Sequence, residues 1–154
     1  MTNAIEIVTN FMQALEAKEF TRAADYLSDS LIFTGFTPVP LHKNQFMNVM
    51  SGLAEGFPNL SYSFHGIEEV AETMGGSRVR GAVQINGSQV NSFQLPVLGI
   101  GEIPQMARSV LLPEENWDYQ IENETIASIQ ADSVPGGGIE GLLNQLGIHD
   151  PINQ

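Results

Sequence analysis

The stretch RSVLLPEENWDYQIENETIASIQADSV, residues Arg108 to Val134, decides the fold. Trp117, Tyr119 and Ile121 fall on one side, and Asp118 and Gln120 on the other. Strict period two marks a strand with one covered face, because successive side chains point to opposite sides. Glu122-Asn123-Glu124 is a polar break, and Asn accepts left-handed turn geometry. A second strand runs from Thr125 to about Asp132 and ends at Val134-Pro135-Gly136-Gly137-Gly138. The two strands form a hairpin at the centre of a curved antiparallel sheet, and the first half of the chain supplies helices that close a cavity against it.

Outward from this hairpin, period two recurs. Val79, Gly81, Val83 and Ile85 alternate with Arg80, Ala82, Gln84 and Asn86, which predicts a strand over 78–86. Leu60, Tyr62 and Phe64 alternate with Ser61, Ser63 and His65 in a strand running toward Val70, with a turn over Glu72 to Gly76. Asn86-Gly87 reads as a turn signal, followed by a strand fragment at Val90 to Leu95 and a loop to about Gln105. The first third is helical instead. Ile5, Val8, Met12 and Leu15 recur at helical spacing, predicting a helix over 3–18, and Asn3 with Glu6 has the form of a capping pair. Phe20, Ala24 and Leu27 predict a shorter helix ending near Ser28-Asp29-Ser30, and Leu31 to Phe36 reads as a strand. Pro38 and Pro40 exclude regular structure between them, since proline removes a donor and biases its neighbour away from helix. A third helix spans His42 to Glu55 and stops at Gly56, and GIEGLLNQLGI (138–148) forms a short amphipathic helix at the end. Helices first and hairpin-linked strands after define an α+β fold with segregated layers.

The 154 residues suit one domain, 1–154, and 42% hydrophobic content can fill its core. Eighteen acids against six Lys and Arg give a net charge of −12, which repels phosphate backbones and anionic membranes and argues against a nucleic-acid partner. The acids are scattered, so their plain reading is solubility. No Cys is present, which excludes thiolate chemistry and Cys-held zinc. The N-terminus has no basic segment followed by an apolar core, and no run approaches 18 apolar residues, so the expectation is a cytoplasmic protein with no membrane partner.

The order of elements, with Phe57-Pro58-Asn59-Leu60 opening a long strand and Gly141-Leu142-Leu143-Asn144-Gln145-Leu146-Gly147 near the end, resembles the SnoaL-like polyketide cyclases of the nuclear transport factor 2-like superfamily. The resemblance implies a cone: three N-terminal helices on a strongly curved sheet, a deep pocket between them, a short C-terminal helix, and a homodimer formed through the outer sheet face. It implies ring closure by an intramolecular aldol reaction on a hydrophobic carbonyl compound, with no cofactor and no metal. The family's Gly-Thr-His segment corresponds here to Gly87-Ser88-Gln89, its Pro-x-Thr-Gly-basic segment to Pro104-Gln105-Met106-Ala107-Arg108, and its late Trp to Gln130. Gln cannot exchange a proton at neutral pH.

Asp132 is the one acid near the family's late carboxylate and the candidate for acid/base work; its plainer reading is an exposed turn carboxylate. Arg80 is the candidate anion holder, or else a salt-bridged strand residue. Trp117 and Tyr119 are read as core or as a wall against a flat ligand. Phe33, Phe46, Met47 and Met50 are further wall candidates, as are Phe57, Tyr62 and Phe64, with Gln89 among them by the resemblance; Met and Phe at helical spacing are more often core. His42, His65 and His149 have no metal-ligand spacing, and His65 belongs to the wetter strand face. Gly136-Gly137-Gly138 lacks the Lys-Ser/Thr of a phosphate loop and reads as a flexible connector or lid. Three functions follow: an acid/base enzyme on a hydrophobic carbonyl compound, a non-catalytic binder of an apolar metabolite, or a partner-binding module.

Overall fold

The computed structural model describes residues 3–73, 76–132 and 134–148. His149 and part of the turn expected at 72–76 lie outside them. The elements in order are α1 (Ala4–Glu16), α2 (Phe20–Asp25), β1 (Leu27–Thr34), β2 (Leu41–His42), α3 (Lys43–Gly56), β3 (Ser61–Thr73), β4 (Gly76–Ser88), β5 (Phe93–Leu95), β6 (Ile100–Ile103), β7 (Ser109–Leu111), β8 (Glu115–Glu122), β9 (Thr125–Ala131) and α4 (Gly138–Gln145). Asn3 caps α1, its Oδ1 accepting the Glu6 amide at 2.8 Å. His42 and Gln45 form a reciprocal capping box at α3. The β8–β9 hairpin turns through Asn123 (φ 51°) and Glu124 (φ 64°), the two-residue left-handed loop that matches strand twist.

The main sheet runs β2-β1-β9-β8-β4-β3, with β7 pairing on β4. Trp117, Tyr119 and Ile121 of β8 share a face with Val79, Gly81 and Val83 of β4, and both sets are buried. Helices α1 and α3 cover this face: Phe11 meets Phe46, Phe46 meets Phe33 edge-on at 4.8 Å, and Phe33 meets Trp117 at 5.4 Å. The layered α+β architecture with a curled sheet stands as expected. Gly66 (φ +64°) lies at a register break in β3, which bends that strand.

Three local expectations are corrected. The sheet is not wholly antiparallel, because β1 runs parallel to β9. Leu27 is not the end of a second helix but the start of β1, buried opposite Ile126. Asn86-Gly87 is not a turn: β4 passes straight through it to Ser88. Gly87 is there for closeness, since a Cβ would meet Asn59 Oδ1 at 3.0 Å and Leu60 Cα at 3.1 Å. Asn59 in turn accepts the Ser88 amide at 2.7 Å, so the Phe-Pro-Asn segment anchors the end of β4.

Gln145 shows why the Gln-Leu-Gly ending matters. Its Oε1 accepts the Leu111 amide at 2.7 Å and its Nε2 donates to the Leu111 carbonyl at 2.8 Å. One side-chain amide thus pairs with β7 as a neighbouring strand would, tying α4 to the sheet. Gln145→Ala removes both bonds, and urea unfolding is expected to show a loss of about 1–3 kcal/mol.

Candidate functional site

Glu115 opens β8, and alternation puts it on the covered face with Trp117 and Tyr119. It is only 7% exposed. A carboxylate buried this far is costly unless both oxygens are bonded. One is: Trp117 Nε1 donates to Oε1 at 3.1 Å. Oε2 has no hydrogen-bond partner among the described residues. Burial pushes the Glu115 pKa above the ordinary 4.5; the Trp117 bond pulls it back and the charge of Asp132 pushes it further up. That direction moves a carboxyl toward the range where it can both take and give a proton.

Gly137 lies beside the free oxygen. A Cβ at 137 would stand 2.9 Å from Glu115 Oε2 and 2.9 Å from Val134 Cγ2. Its φ of −97° and ψ of −175° are ordinary extended backbone, so glycine is needed there for space. Gly137 also belongs to the wall of a cavity of about 210 Å³. Residues 35–38 form one side, and Val134, Gly137, Gly138 and Glu140 the other. The Ile139 amide donates to the Phe36 carbonyl at 2.9 Å, fastening the two sides together. From Phe36 the aromatic rings continue inward, to Trp117 at 6.4 Å and on to Tyr119 at 6.4 Å. A larger hollow of about 450 Å³ lies between the start of α1 and residues 121–124. It has no counterpart to Glu115, whose Oε2 is the one buried side-chain oxygen without a partner among the described residues.

The aromatic candidates lie in the core rather than on the wall of this cavity. Phe33, Phe46, Met50 and Phe57, with Tyr62, Trp117 and Tyr119, are each 0–1% exposed, which leaves no water-sized space beside them. The Tyr62 hydroxyl donates to Met50 Sδ at 3.3 Å, and burial pushes the Tyr62 and Tyr119 hydroxyls well above the usual range. Phe64 and Met47 are half-buried and pack against the same core. Gln89 is buried too, its Nε2 donating to the carbonyls of Asn91 (3.1 Å) and Pro104 (3.0 Å) and its Oε1 accepting the Met106 amide at 2.9 Å. Gln89 thereby holds two loops together.

Arg80 alternates with Val79 and Gly81 and so lies on the sheet face opposite Trp117. Its guanidinium makes a two-pronged bond to Asp118, Nε to Oδ1 at 2.9 Å and Nη2 to Oδ2 at 3.1 Å, and Arg78 adds a contact at 3.5 Å. Asp132 is half-buried just past the end of β9, where its amide donates to the Asn116 carbonyl at 2.9 Å. It is close enough for its charge to act on both Arg80 and Glu115. The charge of Asp132 is therefore felt at Glu115, while Arg80 and the aromatic wall are not brought together. His65 is exposed and pairs with Glu114 at 2.8 Å, and no three His, Asp or Glu among the described residues are placed to hold a metal.

Arg80 holds the Asp118 carboxyl below the usual 3.8, with burial acting the other way. A depressed carboxyl contributes stability above its unfolded pKa and loses it as pH falls through its folded one. Urea midpoints taken from about pH 4 down to about pH 2 are expected to fall more steeply for the native protein than for Arg80→Ala.

Glu115, Phe36 and Glu140 were not among the candidates read from the sequence, and Gly137 was read there only as part of a connector or lid. The signal for Glu115 was present: extending the alternation of Trp117, Tyr119 and Ile121 back by two places reaches it. Gly137 carries no such signal, since only the fold brings it to the Glu115 carboxyl.

No protein-family model matches this chain, and no curated protein matches it. Solved structures do match in fold. A Pseudomonas putida protein, provisionally assigned as a polyketide cyclase, superposes with a TM-score of 0.67 at 15% identity, covering 94% of this chain and 98% of its own. A SnoaL-like polyketide cyclase from Agrobacterium tumefaciens gives 0.61 at 14% identity, covering 85% and 91%. A Catenulispora acidiphila protein with a ketosteroid isomerase-like fold, solved with trimethylamine, gives 0.65 at 12% identity, covering 99% and 98%. At these identities the likeness shows the fold alone, the ketosteroid isomerase-like α+β fold that these solved structures share. Among the described residues no helix is long and apolar enough to cross a membrane.

Proposed function

We propose that this protein is a cofactor-free acid/base catalyst acting on a carbonyl compound, with Glu115 as the proton carrier. The observation that supports this is Glu115 Oε2, buried without a partner beside the wall of a cavity. In the step proposed, the Glu115 carboxylate takes a proton from the carbon next to the carbonyl. The C–H electron pair moves to the carbonyl oxygen as an enolate. Protonated Glu115 then returns its proton, and no electrons leave the substrate. An intramolecular aldol closure of the polyketide cyclase kind begins with the same enolate. Trp117 fixes the carboxyl through Oε1, and Asp132 raises its basicity through charge. Asp132 as the proton carrier is the rival assignment, separated by comparing Asp132→Asn with Glu115→Gln. The test is exchange of the α-protons of small ketones in D₂O, followed by proton NMR. Exchange above the buffer rate supports the reading; buffer rates across a ketone panel remove it.

A second reading is a binding protein without turnover. The solved neighbour that holds trimethylamine favours it, because a small amine would pair with the Glu115 carboxylate. Native mass spectrometry that finds a small molecule released only on denaturation, with no α-exchange, selects this reading. The homodimer remains part of the proposal, formed through the outer face that carries Arg78, Asp118 and Gln120. Sedimentation showing only a 16.8 kDa species would remove it.

A further inference from the structure

We infer that the cavity beside Glu115 admits small carbonyl ligands and rejects anions, with Gly137 setting access and Glu140 and Asp132 setting charge. The inference rests on the Glu115 site, and its readout is binding rather than turnover. Size comes first. About 210 Å³ is the space of roughly seven waters, below the ordinary range for drug-sized ligands. The interior that a larger molecule would need is occupied by Phe33, Phe46 and Trp117, packed ring on ring. A single ring with its carbonyl matches this volume, while three or four fused rings exceed it.

Charge follows from the wall. Glu140 stands on it, in the first turn of α4, and no Lys or Arg does. Asp132 acts on Glu115 from the adjacent strand end. Arg80 feels Asp132 but is engaged by Asp118 on the opposite sheet face. An incoming carboxylate would meet Glu140 on the wall, with Glu115 and Asp132 behind it and no Lys or Arg on the wall among the described residues; between like charges near a protein surface repulsion is worth a tenfold effect or more. A ketone oxygen meets no such repulsion and can accept the proton of Glu115 when that group is neutral. Gly137 completes the device, since it lies on the wall and a Cβ there would press on Oε2 and Val134 Cγ2 at 2.9 Å, tightening the wall at that point.

Amide NMR titrations at pH 7 test this with cyclohexanone, cyclohexanecarboxylate and anthrone. The expected result is shifts at Gly137, Gly138 and Glu140 with cyclohexanone, binding at least about tenfold weaker for the carboxylate, and none for anthrone. In Asp132→Asn/Glu140→Gln the gap between ketone and carboxylate narrows to about threefold. In Gly137→Ala the ketone response at these amides is lost while the rest of the spectrum is kept. A carboxylate that binds as tightly as the ketone overturns the inference. So does a gap unchanged in the double variant, a bound anthrone, or no response to cyclohexanone at tens of millimolar. Ketone binding with this selectivity but no α-proton exchange keeps the inference and removes the catalytic reading, so the two can fail separately.

Discussion

Glu115→Gln is expected to slow α-proton exchange by about a hundred- to ten-thousand-fold, the usual worth of one positioned general base. The substitution keeps the side chain's shape and lets its carbonyl oxygen go on accepting from Trp117 Nε1. What it removes is the proton carrier at Oε2. The native rate should rise with pH through an inflection above 4.5, because burial holds the Glu115 pKa up. The variant should show no such inflection. Stability gives an independent check with a definite sign. A raised carboxyl binds its proton more tightly when folded, so ionisation in the unfolded chain draws the equilibrium toward unfolding as pH climbs. Native stability is therefore expected to decline from pH 4.5 upward through the raised value, and Glu115→Gln to be free of that decline. A variant that exchanges protons as fast as the native protein would end the assignment of Glu115. If Asp132→Asn alone were slow, the role would pass to Asp132.

Gly35→Ala is expected to cost several kcal/mol, a large share of the 5–15 kcal/mol that holds an ordinary domain together. Two effects add. Gly35 has φ +93°, where a side chain is strained. Its Cβ would also lie 1.9 Å from the Ala131 carbonyl oxygen, a backbone atom of the last main-sheet strand that cannot step aside like a side-chain tip. Either β1 or β9 must move, and both reach the cavity at this end. The expected outcome is a fall of roughly ten degrees or more in melting temperature, or recovery only in insoluble form. A melting temperature within two or three degrees of the native one would show that the β1–β9 contact yields easily.

The two substitutions mark how far the chain could be read in advance. Period two along Trp117 to Ile121 and along Val79 to Ile85 needs only neighbours in sequence, so both strands and the division of their residues between two faces were legible, but not which face looks inward: Arg80 stood open until the fold put it opposite Trp117. The caps at Asn3 and the turn at Asn123 were legible for the same reason, as local hydrogen-bonding and backbone preferences. Gly87 was misread because a glycine kept for a close approach looks the same as one kept for a turn, and only the position of Asn59 and Leu60 separates them. The parallel β1–β9 pairing joins residues far apart in the chain, which no local pattern encodes. Asp132 was singled out because it ends a strand. Glu115, one strand away and two residues from a Trp, holds the buried oxygen. The charged-residue pattern concealed it, since one inward acid among outward ones looks like solubility until its face is assigned.

The pairing of Leu27 with Ile126 also bears on synthesis. A ribosome releases β1 well before β9, and β9 is the strand that connects β1 to β8. Until it emerges, β1 has no strand to join it to β8, which carries the Trp117 that Phe33 packs on. The nascent first half is thus an apolar helical layer waiting for a surface, the kind of intermediate that holding chaperones shield. High contact order of this sort slows the final closure relative to a protein of the same size with local pairings. A chain truncated before Thr125 should remain unfolded, and stop-codon variants between Thr125 and Ala131 should be lost to proteolysis rather than accumulate as weakened protein.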